Sequence, residues 1–132
     1  MAVSPVLADS SFYITSMRRR QDPLKALAVA GASRDLAVCG VVRCEVGRAL
    51  KHENTRRQFQ QIWDVMINVP TDNRLWAQVE QLLWTLDRNG IIVSLTNAVI
   101  ACCAMRIDAM VLTYDADFWR IPGIRVTQKL DY

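Results

Sequence analysis

The sequence predicts an α/β fold in which a mainly parallel sheet lies between helix layers. Three observations carry that expectation. Val6-Leu7-Ala8, Leu36 to Cys39 and Met110 to Thr113 are apolar runs of strand length. Between them lie segments whose apolar residues recur at helical spacing, and strands that alternate with helices argue for a parallel sheet. Met110 to Thr113 is almost purely apolar, the mark of a strand covered on both faces.

Taken in order, Val6 to Ala8 ends in Asp9-Ser10-Ser11, and a helix is predicted over Phe12 to Arg20. Asp22 followed by Pro23 restarts a helix, with Asp22 as N-cap and proline at the first helical position, running to a stop at Gly31. After the Leu36 to Cys39 strand the pattern turns helical from Val41, with Val42, Val46 and Ala49 on one face. Lys51-His52-Glu53-Asn54 breaks it, and a second helix is predicted over Thr55 to Met66 from the spacing of Phe59, Ile62, Trp63 and Met66. Ile67 to Val69 reads as a short strand. Thr71 or Asp72 can cap the following helix, whose stripe of Leu75, Val79, Leu82, Leu83 and Leu86 ends at Asn89-Gly90. An apolar helix over Ala98 to Arg106, the Met110 to Thr113 strand and an edge strand over Ile124 to Val126 complete the chain.

With 132 residues, residues 1–132 are expected to form a single domain around one core. A hydrophobic fraction of 52% with only 5 Gly and 4 Pro is that of a folded chain, not a disordered one. Leu36 to Val42 and Ala98 to Met105 fall short of the roughly 18 to 20 residues of a bilayer-spanning helix, so no membrane association is expected. No basic cluster precedes an apolar run at the start, which makes a cytoplasmic location the expectation. Cys39, Cys44, Cys102 and Cys103 lack the paired spacing and companion histidines of a zinc site and read as buried free thiols in a reducing compartment. A net charge of +3 is compatible with a phosphate-bearing substrate without pointing to one.

In a parallel sheet, residues just past the C-terminal ends of the strands gather on one edge, where ligand crevices form. Asp9 and Asp115 are both at such ends. Two carboxylates held together repel unless a divalent cation sits between them, so their placement suggests a metal site. Each has a plainer reading: Asp9 as a helix N-cap, Asp115 as a turn residue in Tyr114-Asp115-Ala116-Asp117. Glu45, at the start of a helix among apolar residues, either enters a partly buried site or pairs at the surface with Arg48 or Lys51. Ser94, Thr96 or Asn97 could cap the apolar helix, and capping is the plain reading of Asn97.

Arg18-Arg19-Arg20 and Arg56-Arg57 could follow an RNA backbone, and solvated helix faces explain them as well. Phe59, Trp63, Trp76, Leu83 and Trp84 fit core or helix-packing positions better than a base-stacking platform. The single histidine, His52, is expected at the surface.

Four segments in order, Val6-Leu7-Ala8-Asp9-Ser10-Ser11, the helix-borne Glu45, Thr96-Asn97-Ala98-Val99-Ile100-Ala101 and Val111 to Phe118, resemble the ordered signature of PIN domains. The last, continued by Ile121-Pro122-Gly123-Ile124-Arg125-Val126, is the most specific and is similar to the end of VapC-type toxins; the resemblance covers essentially the whole chain. It implies a three-layer α/β/α sandwich, Mg²⁺ or Mn²⁺ in an acidic cleft and hydrolytic, endonucleolytic cleavage of RNA. Asp9, Glu45 and Asp115 match three acidic positions, Asp117 an additional one, and Ser11 and Thr113 small hydroxyl positions that order carboxylates or water. Asn97 departs from the pattern, standing where the family usually places a fourth carboxylate. A neutral amide still offers a carbonyl oxygen to a hard cation, yet it lacks the Coulombic attraction and cannot act as a base. Metal affinity and rate should both fall.

The function this implies is a Mg²⁺- or Mn²⁺-dependent ribonuclease, the toxin of a type II toxin–antitoxin pair, with an RNA substrate, a cognate antitoxin whose tail fills the acidic cleft, and a homodimeric state. The rival is a PIN-fold module whose site is too weak for catalysis and which binds RNA or protein instead. A metal-dependent phosphatase is a weaker third reading, because the Phe118 to Val126 ending matches PIN proteins.

Overall fold

The computed structural model describes residues 3–130. Five strands, β1 (Val6–Ala8), β2 (Leu36–Cys39), β3 (Ile67–Val69), β4 (Met110–Leu112) and β5 (Arg125–Thr127), form one sheet in the order β3-β2-β1-β4-β5. Every pairing is parallel. The central strands β1 and β4 pair Val6 with Met110, Leu7 with Val111 and Ala8 with Leu112, and β1 is buried along its whole length. A strand flanked on both sides and covered on both faces has no position that water reaches, which is why these runs carry almost no polar residue. β5 is an edge strand as expected, one residue later than the sequence placed it.

Six α-helices connect the strands: α1 (Ser10–Arg18), α2 (Pro23–Gly31), α3 (Gly40–Ala49), α4 (Glu53–Asp64), α5 (Asn73–Arg88) and α6 (Leu95–Arg106). The chain moves outward from β1 through β2 to β3, then returns past β1 to β4. With right-handed crossovers, that reversal places α1 to α4 on one face and α5 and α6 on the other, giving the three-layer α/β/α sandwich. Within the layers α1 packs on α2 and α3, α3 on α4, and α5 on α6, and α3 also touches α6.

Local signals account for the helix boundaries. Asp22 caps α2 by accepting from the Leu24 and Lys25 N–H groups, with Pro23 at the first position. Asp72, not Thr71, caps α5 through the Leu75 N–H. Gly90, at φ +75°, follows α5 in the left-handed region that ends many helices. α1 begins at Ser10, two residues before its predicted start, because Asp9 itself is the N-cap. α4 starts at Glu53, inside the predicted break, where Glu53 in the first turn pairs with Arg56 and Arg57. Both arginines thus pair with Glu53 on the outward side of α4.

Under α1 and α4 the core is aromatic. Trp63 Nε1–H donates to the Tyr13 hydroxyl at 3.1 Å, and Tyr13 and Phe59 both pack edge-on or tilted against Trp63 or each other. The expectation of packing positions fails for two tryptophans: Trp76 is 41% and Trp84 58% exposed. α5 buries a narrow stripe of Leu75, Val79 and Leu86, and both tryptophans fall off it, Trp84 sitting under the Arg88 guanidinium. Likewise Cys39, Cys102 and Cys103 are buried thiols, but Cys44 is exposed on the outer side of α3. His52 lies at the surface. No helix among the described residues is long and apolar enough to cross a membrane.

Candidate active site

The order β3-β2-β1-β4-β5 reverses between β1 and β4, and there the two strands' outgoing connections diverge to opposite faces. A crevice opens at such a switch point. Asp9 leaves β1 into it and Thr113 and Asp115 leave β4, so the topology alone brings together residues more than 100 positions apart in the chain.

Asp9 is 2% exposed and its carboxylate is fully engaged. It accepts from the Phe12 N–H at 3.0 Å as the N-cap of α1, from Ser11 Oγ at 2.8 Å and from Thr113 Oγ1 at 2.7 Å. Both hydroxyls are themselves oriented by main-chain donors: the Tyr114 N–H donates to Ser11 Oγ at 3.0 Å and the Asp115 N–H to Thr113 Oγ1 at 2.9 Å. Each hydroxyl thus receives a hydrogen on one side and passes its own to Asp9 on the other. Burial pushes the Asp9 carboxyl above the usual carboxylate range, and the charge of Asp115 adds to that; Thr113, the Phe12 N–H and Ser11 offset part of it. Asp9 therefore caps α1, as the plainer reading had it, and the same carboxylate is bonded to Thr113 beyond β4.

Asp115 caps the 3₁₀ turn Ala116–Arg120, its Oδ1 accepting from the Asp117 N–H at 3.0 Å. Its Oδ2 accepts from Asn97 Nδ2 at 2.9 Å. The opposite orientation of the amide would set two oxygen acceptors against each other, so the carboxylate dictates which end of Asn97 faces it. Asn97 is not the cap of α6. Ser94 fills that role, accepting from the Asn97 N–H at 3.1 Å, which frees the Asn97 side chain to point into the crevice. The helix starts at Leu95, three residues before its predicted start, for the same reason.

Glu45 projects from α3 and accepts a 2.6 Å hydrogen bond from Ser10 Oγ, the neighbour of Asp9. It forms no ion pair with Arg48 or Lys51 among the described residues, and the surface reading fails. Asp117 turns away from Asp115: its carboxylate pairs with Arg120 at 2.9 Å, and Arg120 also donates to the Ile92 carbonyl at 2.7 Å. Asp9, Ser11, Thr113, Asp115 and Asn97 thus form one hydrogen-bonded group at the switch point, while Glu45 is bonded to Ser10, the chain neighbour of Asp9, and Asp117 to Arg120. Among the described residues, no three His, Cys, Asp or Glu side chains close on a common point that could hold a metal ion.

Two contributors escaped the sequence reading. Ser10 reads as filler between Asp9 and Ser11, and its partner Glu45 lies 35 residues away, which no local pattern reveals. Arg120 carried a signal in principle, since it stands at i+3 from Asp117 in a short helical turn.

Residues 6–124 match the family model of the PIN domain. The fold is also that of several solved toxin–antitoxin proteins. VapBC2 from Rickettsia felis, bound to a DNA fragment from its promoter, has a TM-score of 0.75 at 16% identity, with 93% of this chain and 97% of that one covered. VapBC-1 from nontypeable Haemophilus influenzae gives 0.74 at 17%, covering 93% and 96%. VapC20 from Mycobacterium tuberculosis, a toxin that cleaves the sarcin-ricin loop, gives 0.64 at 14%, covering 92% and 98%. No curated protein matches the chain.

Proposed function

The chain belongs to the PIN-domain family, and from that premise we propose that it is a divalent-metal-dependent endoribonuclease and the toxin of a type II toxin–antitoxin pair. The observation that carries this reading is the buried Asp9 carboxylate, held by Ser11, Thr113 and the Phe12 N–H beside Asp115. Two carboxylates held side by side, one of them buried, repel each other, and a cation between them would offset that cost.

The donor set fits Mg²⁺ or Mn²⁺. Asp9, Asp115, Glu45 and the Asn97 carbonyl are all hard oxygen donors, and His52 and the exposed thiol of Cys44 belong to no part of the crevice. When bound, the cation would polarise a phosphodiester oxygen and lower the pKa of a coordinated water. The protein's own part is positional. Ser11 and Thr113 hold the Asp9 carboxylate in one orientation, so its oxygens need little reorientation when the substrate arrives, and Ser10 tethers Glu45 by a single bond. Asn97 must release Asp115 Oδ2 for that oxygen to serve a cation, a cost that an aspartate at this position would not impose in the same form.

The same Asn97–Asp115 hydrogen bond favours a second reading, in which the site stays closed and the chain binds RNA or a partner protein without cutting. One experiment separates them: incubation of structured RNA with Mn²⁺ and the natural chain, Asn97→Asp or Asp9→Ala. The nuclease reading expects cleavage by the natural chain, faster cleavage by Asn97→Asp and none by Asp9→Ala. Equal activity in all three would exclude this crevice, and activity in Asn97→Asp alone would support the second reading. The solved relatives named VapBC make a cognate antitoxin the expected partner; a homodimer is the state that the resemblance to the family implies.

A further inference from the structure

On the other side of α3 from the core lies a groove of about 420 Å³ between α3 and α4. Arg43, Arg48, Arg56 and Gln60 line it over a floor of Gly47 and Trp63, and no carboxylate faces it. We infer that this groove binds the phosphodiester backbone of the RNA beside the cleavage site, with Arg48 as its free cation; the inference rests on the ribonuclease reading given above.

Two independent features point to an occupant from outside the chain. The first is the arginines' arrangement. Arg43 is held rigidly, donating to Asp64 at 2.8 Å and to Asn68 at 3.1 Å, with its guanidinium 5.5 Å from the centre of the Trp63 ring. Arg56 is anchored by Glu53 through Nε and Nη2, leaving Nη1 uncommitted. Arg48 is exposed and makes no ion pair among the described residues. The acids that anchor the other two are not among the lining residues, so the charged side chains of the groove are all arginines, the charge that a polyanion complements.

The second feature is Gly47. Glycine inside a helix costs roughly 0.5–1 kcal/mol relative to alanine, and a close approach by another element is the usual compensation. Gly47 sits inside α3, yet a Cβ built there would meet no side chain and no other element within 4 Å. Nothing in the fold explains the missing side chain, while a strand lying in the groove would need that space. The groove is also close to the chemistry. Arg48 follows Glu45 by three residues, so it stands about 5 Å further along the same side of α3. An RNA strand leaving the crevice past Glu45 meets Arg48 next.

The test is binding of a fluorescein-labelled RNA hairpin, read by anisotropy in EDTA at several salt concentrations, so that no cleavage is involved. Arg48→Gln should weaken binding roughly tenfold, the loss of one charge-assisted hydrogen bond, and lower the log–log salt slope by about 0.7 to 0.9. Gly47→Leu should weaken binding while raising the melting temperature, because leucine is the better helix former. In the natural chain, RNA should slow alkylation of Cys44, the exposed thiol in the same groove. Unchanged affinity and slope in both variants, or unprotected Cys44, would overturn the inference, as would a natural chain that binds no RNA. A change in sedimentation mass with RNA binding intact would also overturn it, by making the groove a protein interface. Variants that lose RNA binding while the natural chain never cleaves would uphold the groove and refute the nuclease reading alone.

Discussion

Asp9 and Glu45, two acids of the proposed site, are held by the protein in opposite ways. Asp9 stands at the end of a central strand, 2% exposed, with three donors fixed on it. Glu45 stands inside a helix on a flexible side chain and is held by one hydroxyl, Ser10. A strand-end position is set by topology, because the sheet register that pairs Ala8 with Leu112 necessarily brings the next residues together. A helix-borne position depends on where the whole helix docks. The first kind of site residue is rigid and costly to charge; the second is adjustable and can follow a ligand.

The largest effect that would break this contrast is at Asp9. Asp9→Ala should abolish metal-dependent cleavage and also remove the α1 cap, whereas Asp9→Asn should abolish cleavage while raising the melting temperature. The asparagine keeps an N-cap acceptor and removes a buried charge. A destabilised Asp9→Asn protein would show that the charge is compensated within the fold. Next comes Thr113→Val, which deletes the shortest bond to Asp9 and leaves the Asp115 N–H without its acceptor. Loss of such an orienting partner typically lowers metal affinity about 10- to 100-fold, measurable by Mn²⁺ titration. Ser10→Ala should do less, under about tenfold, since Glu45 can reach the crevice without its hydroxyl. Equal losses in Thr113→Val and Ser10→Ala would erase the distinction between the two acids.

The smallest effect is on pH dependence. Burial raises the Asp9 carboxyl above its value of 3.8 in the unfolded chain, so the folded state takes up this proton more readily than the unfolded one. Its contribution to stability is therefore greatest when protonated, and declines as pH rises from near 3.8 through the raised folded value. Denaturant midpoints measured across that window should fall less steeply with pH in Asp9→Asn than in the natural chain. Parallel profiles would mean that Asp9 is not the group responsible.

The contrast also explains what the sequence revealed. The strands were legible because their burial on both faces leaves an apolar signature, and the caps Asp22 and Asp72 because they act on N–H groups two or three residues away. Asp9 and Asp115 were legible for the same reason, as strand ends in a parallel sheet. The start of α6 was misplaced because Ser94, Thr96 and Asn97 are all competent caps, and only the pull of Asp115 on the Asn97 amide decides among them. Ser10 escapes local pattern, and Trp76 and Trp84 depart from their expected packing positions, because their surroundings depend on helix docking.

Calorimetric titration with Mn²⁺ of the natural chain, Asn97→Asp and Asp9→Asn tests most directly whether the strand-end acids require a cation. The expected result is weak binding by the natural chain, binding at least about tenfold tighter by Asn97→Asp, and none by Asp9→Asn. Absence of binding in both the natural chain and Asn97→Asp, or undiminished binding by Asp9→Asn, would contradict it.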